Sequence, residues 1–311
     1  MCDNERFISI MKQKDKVLLL IFSGTGNTLT VGNMIAEHFG EKGFITDIIE
    51  IGNPFPKIEN IEDYRFIGFG YPVHAFNIPK IYRRLIAYLP NTSETSAFIF
   101  KTSGEPFLLN SASSYILTKK LKRKGYKVLS DTHFLMPYNI IFRYPDRAVK
   151  AMVNYGETLS KILVNNLLNG KQELIKYKRR YRLISTVFRI QYLGATINGL
   201  LIKVRRKKCN KCLRCLKNCP TGNIFIKDGK IKFSSKCTMC MRCAMMCPND
   251  AIKIGFLNRW KVNGKYDFTQ ILANDSIEDG FFSEQHTDFF RYFKKYYNEL
   301  DNKIIQAKLR S

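Results

Sequence analysis

The chain has 311 residues, more than one compact domain usually holds, so two unequal domains with connecting and tail segments are expected. Hydrophobic residues at 45% and charged residues at 25% are ordinary globular usage, and no uninterrupted apolar stretch approaches a membrane span. Lys and Arg outnumber Asp and Glu by 51 to 26, a formal net charge of +25, which bears on association rather than fold and favours an acidic protein, an anionic membrane surface or nucleic acid as partner.

The start, Met1-Cys2-Asp3-Asn4-Glu5-Arg6, lacks the basic residues and apolar run of a secretory signal. Eight of the nine cysteines crowd between Cys209 and Cys247, in spacings that suit metal ligation better than disulfides. A reducing, cytoplasmic compartment is therefore expected. Cys2 has no partner in sequence and reads as a spare surface thiol.

The apolar run Lys16 to Phe22 predicts a strand. It breaks into Ser23-Gly24-Thr25-Gly26-Asn27-Thr28 before a helical pattern through Val31, Ile35 and Phe39. Further strands are predicted at Thr46 to Ile51, Phe66 to Tyr71, Ala97 to Thr102 and Lys127 to Phe134, with helices near Lys80 to Leu89, Ser113 to Lys124 and Arg147 to Leu168. This alternation predicts an α/β, doubly wound, five-stranded parallel sheet over residues 16–169, with its ligand beyond the strand C-termini.

Residues 170–204 turn basic and aromatic, with Arg179, Arg180, Arg182 and Arg189 among Tyr177, Tyr181, Phe188 and Tyr192, and read as a helical connector with its rings turned inward. Residues 256–311 form an aromatic-rich extension. Its stripe from Phe289 to Tyr297 is expected to pack against the body rather than bind a partner.

Between them, residues 205–255 carry Cys209, Cys212, Cys215 and Cys219-Pro220, repeated as Cys237, Cys240, Cys243 and Cys247-Pro248. In such a duplicated run the first three cysteines hold one cubane and the fourth reaches the other. Cys209, Cys212, Cys215 and Cys247 are thus assigned to one [4Fe-4S] cluster, and Cys237, Cys240, Cys243 and Cys219 to a second. A structural zinc site is the alternative, but it leaves the third cysteine and the proline of each run unexplained. About Lys207 to Ile254 resembles the bacterial-type ferredoxins, which implies a small α+β two-cluster domain that carries electrons. The Arg205-Arg206-Lys207-Lys208 start departs from the acidic surface of many ferredoxins.

The loop from Ser23 to Thr28 lacks the Gly-Lys-Ser/Thr of a triphosphatase and the third glycine of a dinucleotide fingerprint. Its hydroxyls, glycines and helix-start amides suit a terminal monophosphate, with the backbone dipole in place of a lysine. A glycine-rich turn serving packing alone is the plain alternative. In motif and strand order, residues from Lys16 to about Leu168 resemble a flavodoxin.

That resemblance implies FMN, with Ser23, Gly24, Thr25, Gly26, Asn27 and Thr28 at its phosphate. Tyr71, Pro72, Val73, His74, Ala75 and Phe76 after strand three, and Thr102, Ser103, Gly104 and Glu105 after strand four, would flank its ring. Phe76 or Tyr71 is expected to stack on the ring. The acidic, tryptophan-bearing loops of many flavodoxins are missing. His74, with an ordinary pKa near neutrality, is a weak candidate for proton donation, against a structural role; His38, His133 and His286 have no partners in sequence that suggest chemistry.

The whole arrangement resembles the flavodoxin-ferredoxin fusion proteins of anaerobic bacteria. The resemblance implies electron transfer between FMN and two [4Fe-4S] clusters, with an FMN-dependent reductase of a small substrate such as a quinone, fed by the clusters, as the alternative. The cofactors would remove roughly six positive charges and leave the protein basic. Acidic redox proteins are the expected partners, with weak contact to an anionic membrane surface; nucleic acid is not expected.

Overall fold

A computed structural model describes residues 15–262 and 264–308; Cys2 lies outside them. Five parallel strands, β1 (Lys16–Ile21), β2 (Ile45–Glu50), β3 (Phe66–Pro72), β4 (Ser96–Ser103) and β5 (Lys127–Leu135), form one sheet in the order β2-β1-β3-β4-β5. This is the flavodoxin order of doubly wound sheets, with the switch point between β1 and β3.

The interior strand β1 is apolar on both faces, as a strand covered on both sides must be. Val17, Leu19 and Ile21 enter one core, and Leu18, Leu20 and Phe22 the other. Helices α1 (Asn27–Glu41) and α4 (Asp146–Leu168) cover the first face; α2 (Lys80–Tyr88) and α3 (Tyr115–Arg123) cover the second.

The extension joins the first core. Phe281, Phe282, Phe290, Phe293, Tyr297 and Leu300 are buried there with α4 and the sheet. The rings of Phe282 and Tyr297 stack at 4.2 Å, and the Tyr296 hydroxyl donates to the His133 carbonyl at 2.6 Å. Pairs of this kind contribute about 0.5–1.5 kcal/mol each beyond area burial. The stripe is core packing.

Residues 179–201 form α5 (Arg179–Val187) and α6 (Gln191–Leu201) with a 3-10 turn, Phe188–Ile190, between them. Strand β6 (Ile202–Val204), which composition places in the connector, pairs antiparallel with β9 (Ile252–Ile254) and so closes the cysteine-rich domain. Within it, β7 (Ile224–Lys227) and β8 (Lys230–Phe233) form a hairpin turned by Asp228 and Gly229, both left-handed.

Candidate functional site

The Ser23–Thr28 loop leaves β1 at the switch point. Gly26 sits at φ 111, open to glycine at little cost, and its amide donates to Ser23 Oγ at 3.2 Å. The Thr28 hydroxyl lies 2.7 Å from that of Thr102 at the end of β4, and Asn27 Nδ2 donates to the Pro137 carbonyl at 2.7 Å. These bonds fix the start of α1, whose first amides lack acceptors within the helix. Thr25 Oγ1 is buried with no hydrogen-bond partner among the described residues. An orphaned buried hydroxyl beside the amides that open α1 fits a monophosphate.

Two cations come to this loop from the far half of the chain. Arg242 donates through Nε to the Gly24 carbonyl at 3.1 Å and through Nη2 to that of Ser23, and meets Glu50 at 3.4 Å. Lys265 lies beside Gly26, its Nζ 3.9 Å from where a Cβ would stand. Sequence reasoning missed both. Gly24 is required by docking: a Cβ there would lie 2.3 Å from the Cys240 carbonyl oxygen.

A cavity of about 600 Å³ opens next to the loop. Its walls are Asn27, Pro72 to Phe76 after β3, Thr102 to Glu105 after β4, and Met136 to Ile141 after β5. The connector adds Gln191, Gly194 and Ala195, and the cysteine-rich domain adds Met239, Cys240 and Met241. Ala75 and Phe76 hold left-handed angles of φ 40 and 62, the kind of strain that concentrates at ligand sites. The Phe76 ring packs edge-to-face on Phe188 at 5.0 Å.

Tyr71 does not line the cavity, contrary to its expected stacking role. Its ring turns into the opposite core against Tyr82 at 5.3 Å, with its hydroxyl 3.3 Å from Ser113, because alternation along β3 points it there. Of the two aromatics proposed, the cavity has Phe76.

Burial pushes His74 down to about 4, so its imidazole is neutral near pH 7. The side chain sits edge-on to Phe22 at 6.4 Å. Glu105 is pushed up by burial, opposed by hydrogen bonds that include Asn110 Nδ2 at 3.1 Å from Oε1. Beneath the β4 loop, Lys101 and Asp131 form a wholly buried ion pair at 2.9 Å. Elsewhere, His38 pairs with Glu157 at 2.8 Å, His133 Nε2 meets Ser103 Oγ at 2.7 Å, and His286 Nε2 meets the Phe281 carbonyl at 2.7 Å.

The eight cysteines surround two separate cavities. Cys219, Cys237, Cys240 and Cys243 line one, with apolar Ile224, Phe233 and Ile254; Cys209, Cys212, Cys215 and Cys247 line the other. Among the described residues no three His, Cys, Asp or Glu side chains are grouped as if to hold a metal ion; four cysteines line each of the two cavities.

The backbone repeats with the sequence. Lys211 and Leu213 in the first run, and Met239 and Met241 in the second, are left-handed at φ 56 to 64. Such turns bring successive sulfurs to one side, and amides reach them: Asn223 to Cys219 Sγ at 3.2 Å, Met239 to Cys237 at 3.3 Å and Ala251 to Cys247 at 3.1 Å. Burial pushes Cys240 up to about 12, and Cys243 well above its ordinary value. Four thiolates brought together there require positive charge between them, which iron supplies. The donor set fits a four-iron cluster in each cavity.

Residues 201–255 match the family model of the 4Fe-4S dicluster domain. Among curated proteins, none matches the chain. Among solved structures, similar ones include a flavodoxin from the domain Archaea, 14% identical over 49% of this chain and 99% of that one, with a TM-score of 0.37. Oxidised flavodoxin 1 from Bacillus cereus is 17% identical over 48% and 97%, at 0.33. Rubredoxin oxygen:oxidoreductase from Desulfovibrio gigas is 16% identical over 53% and 40%, at 0.34. The chain thus joins an N-terminal flavodoxin-like fold, carried by its own strand order, to a 4Fe-4S dicluster domain, an architecture for electron transfer. No helix among the described residues is long and apolar enough to cross a membrane.

Proposed function

We propose that this chain is a cytoplasmic electron-transfer protein that holds FMN in the cavity beside the Ser23–Thr28 loop and one [4Fe-4S] cluster in each cysteine cage. FMN exchanges one or two electrons and a cubane exchanges one, so the two together join a two-electron donor to single-electron acceptors. One observation carries this reading: Met239, Cys240 and Met241 form part of the wall of both the flavin cavity and the cage of Cys219, Cys237, Cys240 and Cys243.

Each part of the chain has a task in it. Thr25, the loop amides and Lys265 hold the phosphate, and Phe76 with the strained turn before it shapes the ring site. Neutral His74 keeps charge away from that site. Arg242 clamps the cysteine-rich domain onto the loop carbonyls and so fixes the distance between the two redox sites.

Cys212 is the exposed ligand of the other cage. Next to that cage, Cys209 lies in a groove whose other walls include Lys203, Arg206, Lys211, Lys230 and Lys232, with Asp228 the single acid. This groove is the port for an acidic redox protein, because complementary charge speeds encounter. A second reading, reduction of a small apolar substrate such as a quinone at the flavin, is favoured by Phe107, Ile141 and Phe256, exposed at the cavity's edge.

Anaerobic purification tests the proposal. Iron, acid-labile sulfide, zinc and released flavin are measured on one sample. About eight irons, eight sulfides and one FMN per chain are expected; zinc without flavin would refute it.

A further inference from the structure

We infer that the connector is an interfacial helix that lays the protein on an anionic lipid bilayer. Residues Val187, Phe188, Ile190 and Gln191 keep right-handed helical angles through the 3-10 turn, so residues 179–201 form one near-continuous rod. At 1.5 Å per residue it is about 35 Å long. Along it, Leu183, Val187, Ile190, Leu193, Ile197 and Leu200 recur at the three- and four-residue spacing of one helix face. Their side chains are 57% to 73% exposed.

The rod is amphipathic in the inverted sense. Its polar groups turn toward the protein: Ser185 Oγ donates to the Phe76 carbonyl at 2.9 Å, the Tyr192 hydroxyl to the Ile78 carbonyl at 2.6 Å, and Asn198 Nδ2 to the Ile254 carbonyl at 3.0 Å. A helix that only joined two domains would bury its aliphatic side chains and expose these. Contiguous exposed aliphatic surface of this kind marks a contact site.

Charge decides the occupant. Arg179, Arg180, Arg182 and Arg189 flank or start the stripe, and among the described residues none has a carboxylate partner. Arg182 lies over the Tyr115 ring at 3.9 Å and Arg189 Nε is buried, so the exposed pair Arg179 and Arg180 carries the charge at the start of the stripe. Apolar residues led by exposed arginines match the acyl and headgroup layers of an anionic membrane. Two copies of this face would bring four exposed arginines together, which opposes self-association. The inner side of the same rod, at Gln191, Gly194 and Ala195, is a wall of the flavin cavity, so docking here would hold that cavity about one helix diameter from the lipid.

The test is co-sedimentation of the anaerobically purified, cofactor-loaded full chain with phosphatidylglycerol/phosphatidylcholine vesicles, at low and high salt. Binding is expected to the mixed vesicles and not to phosphatidylcholine alone. Ile190→Gln with Leu193→Gln, both at exposed positions, should lower the partition coefficient about tenfold or more. Arg179→Gln with Arg180→Gln, both exposed, should lower it about tenfold and weaken its salt dependence. Iron and flavin contents, measured on the same samples, should stay unchanged. No binding to the mixed vesicles, or equal binding to both kinds, would overturn the inference. So would light scattering that shows a dimer converted to monomer by the Ile190/Leu193 pair, or binding to an acidic carrier protein but not to vesicles. None of these readouts depends on electron transfer, so failure here leaves the proposed function standing.

Discussion

The two cysteine cages share one spacing and one backbone, yet they sit in unlike surroundings. Cys240 belongs to the cage whose wall is also the wall of the flavin cavity, while Cys212 is exposed in the cage beside the lysine-rich groove. Even the arginine before each third cysteine diverges: Arg242 is clamped on the phosphate loop, whereas its counterpart Arg214 has no such contact. Duplication gives a symmetric ligand set, and docking on the flavodoxin-like domain makes it directional. In the proposed function, one cage faces inward to the flavin cavity and the other outward to a partner.

Cluster loss breaks this comparison most severely. Cys240→Ser and Cys212→Ser should each lower bound iron by about half, read by metal analysis. Equal loss of exchange with the flavin in both variants would remove the inward/outward distinction. Next in size is Gly24→Ala, which sets a Cβ against the Cys240 carbonyl. It is expected to cost about 1–3 kcal/mol, seen as a lower Tm and as flavin lost on gel filtration.

Lys265→Gln sharpens the phosphate assignment. Because Lys265 is exposed, its contribution is about 1 kcal/mol or less, a loss of up to about fivefold in FMN affinity. Riboflavin affinity, measured by fluorescence titration, should not change. An equal loss for both ligands would place Lys265 away from the phosphate.

A further effect, on acid stability, bears on the fold around the cavity and not on either cage. Burial holds His74 at about 4; burial and Lys101 hold His133 at about 3. Both are below the ordinary histidine value, so the unfolded chain binds more protons in that window. Stability should therefore fall as pH drops from about 6.5 to about 3 and stay flat above, as far as these two groups are concerned. Urea midpoints across pH report it, and His133→Asn should flatten the slope.

Much of this was legible in the sequence because the signals are local. The runs Lys16 to Phe22 and Phe66 to Tyr71 read as buried strands, the segment Ser23 to Thr28 as the loop between strand and helix, and the cysteine spacing as two sets of four, which line two cavities. What sequence missed is long-range. Arg242 lies 218 residues beyond Gly24, and nothing local marks it as different from Arg214. Tyr71 was placed at the ring because it ends the strand as the sequence reads it, but it lies within β3 and the parity of the strand turns it into the core. The connector was read as a solvated helix with its rings inward. Tyr192 does turn inward, while its aliphatic neighbours Leu193 and Ile190 face out, a choice made by the hydrogen bonds on the docked side.

The most direct test follows electron exchange within single molecules after photoreduction of the flavin, with cluster bleaching as the readout. Fast exchange in the native chain, lost in Cys240→Ser and kept in Cys212→Ser, is the predicted result. Exchange that survives Cys240→Ser while Cys212→Ser abolishes it would contradict the account.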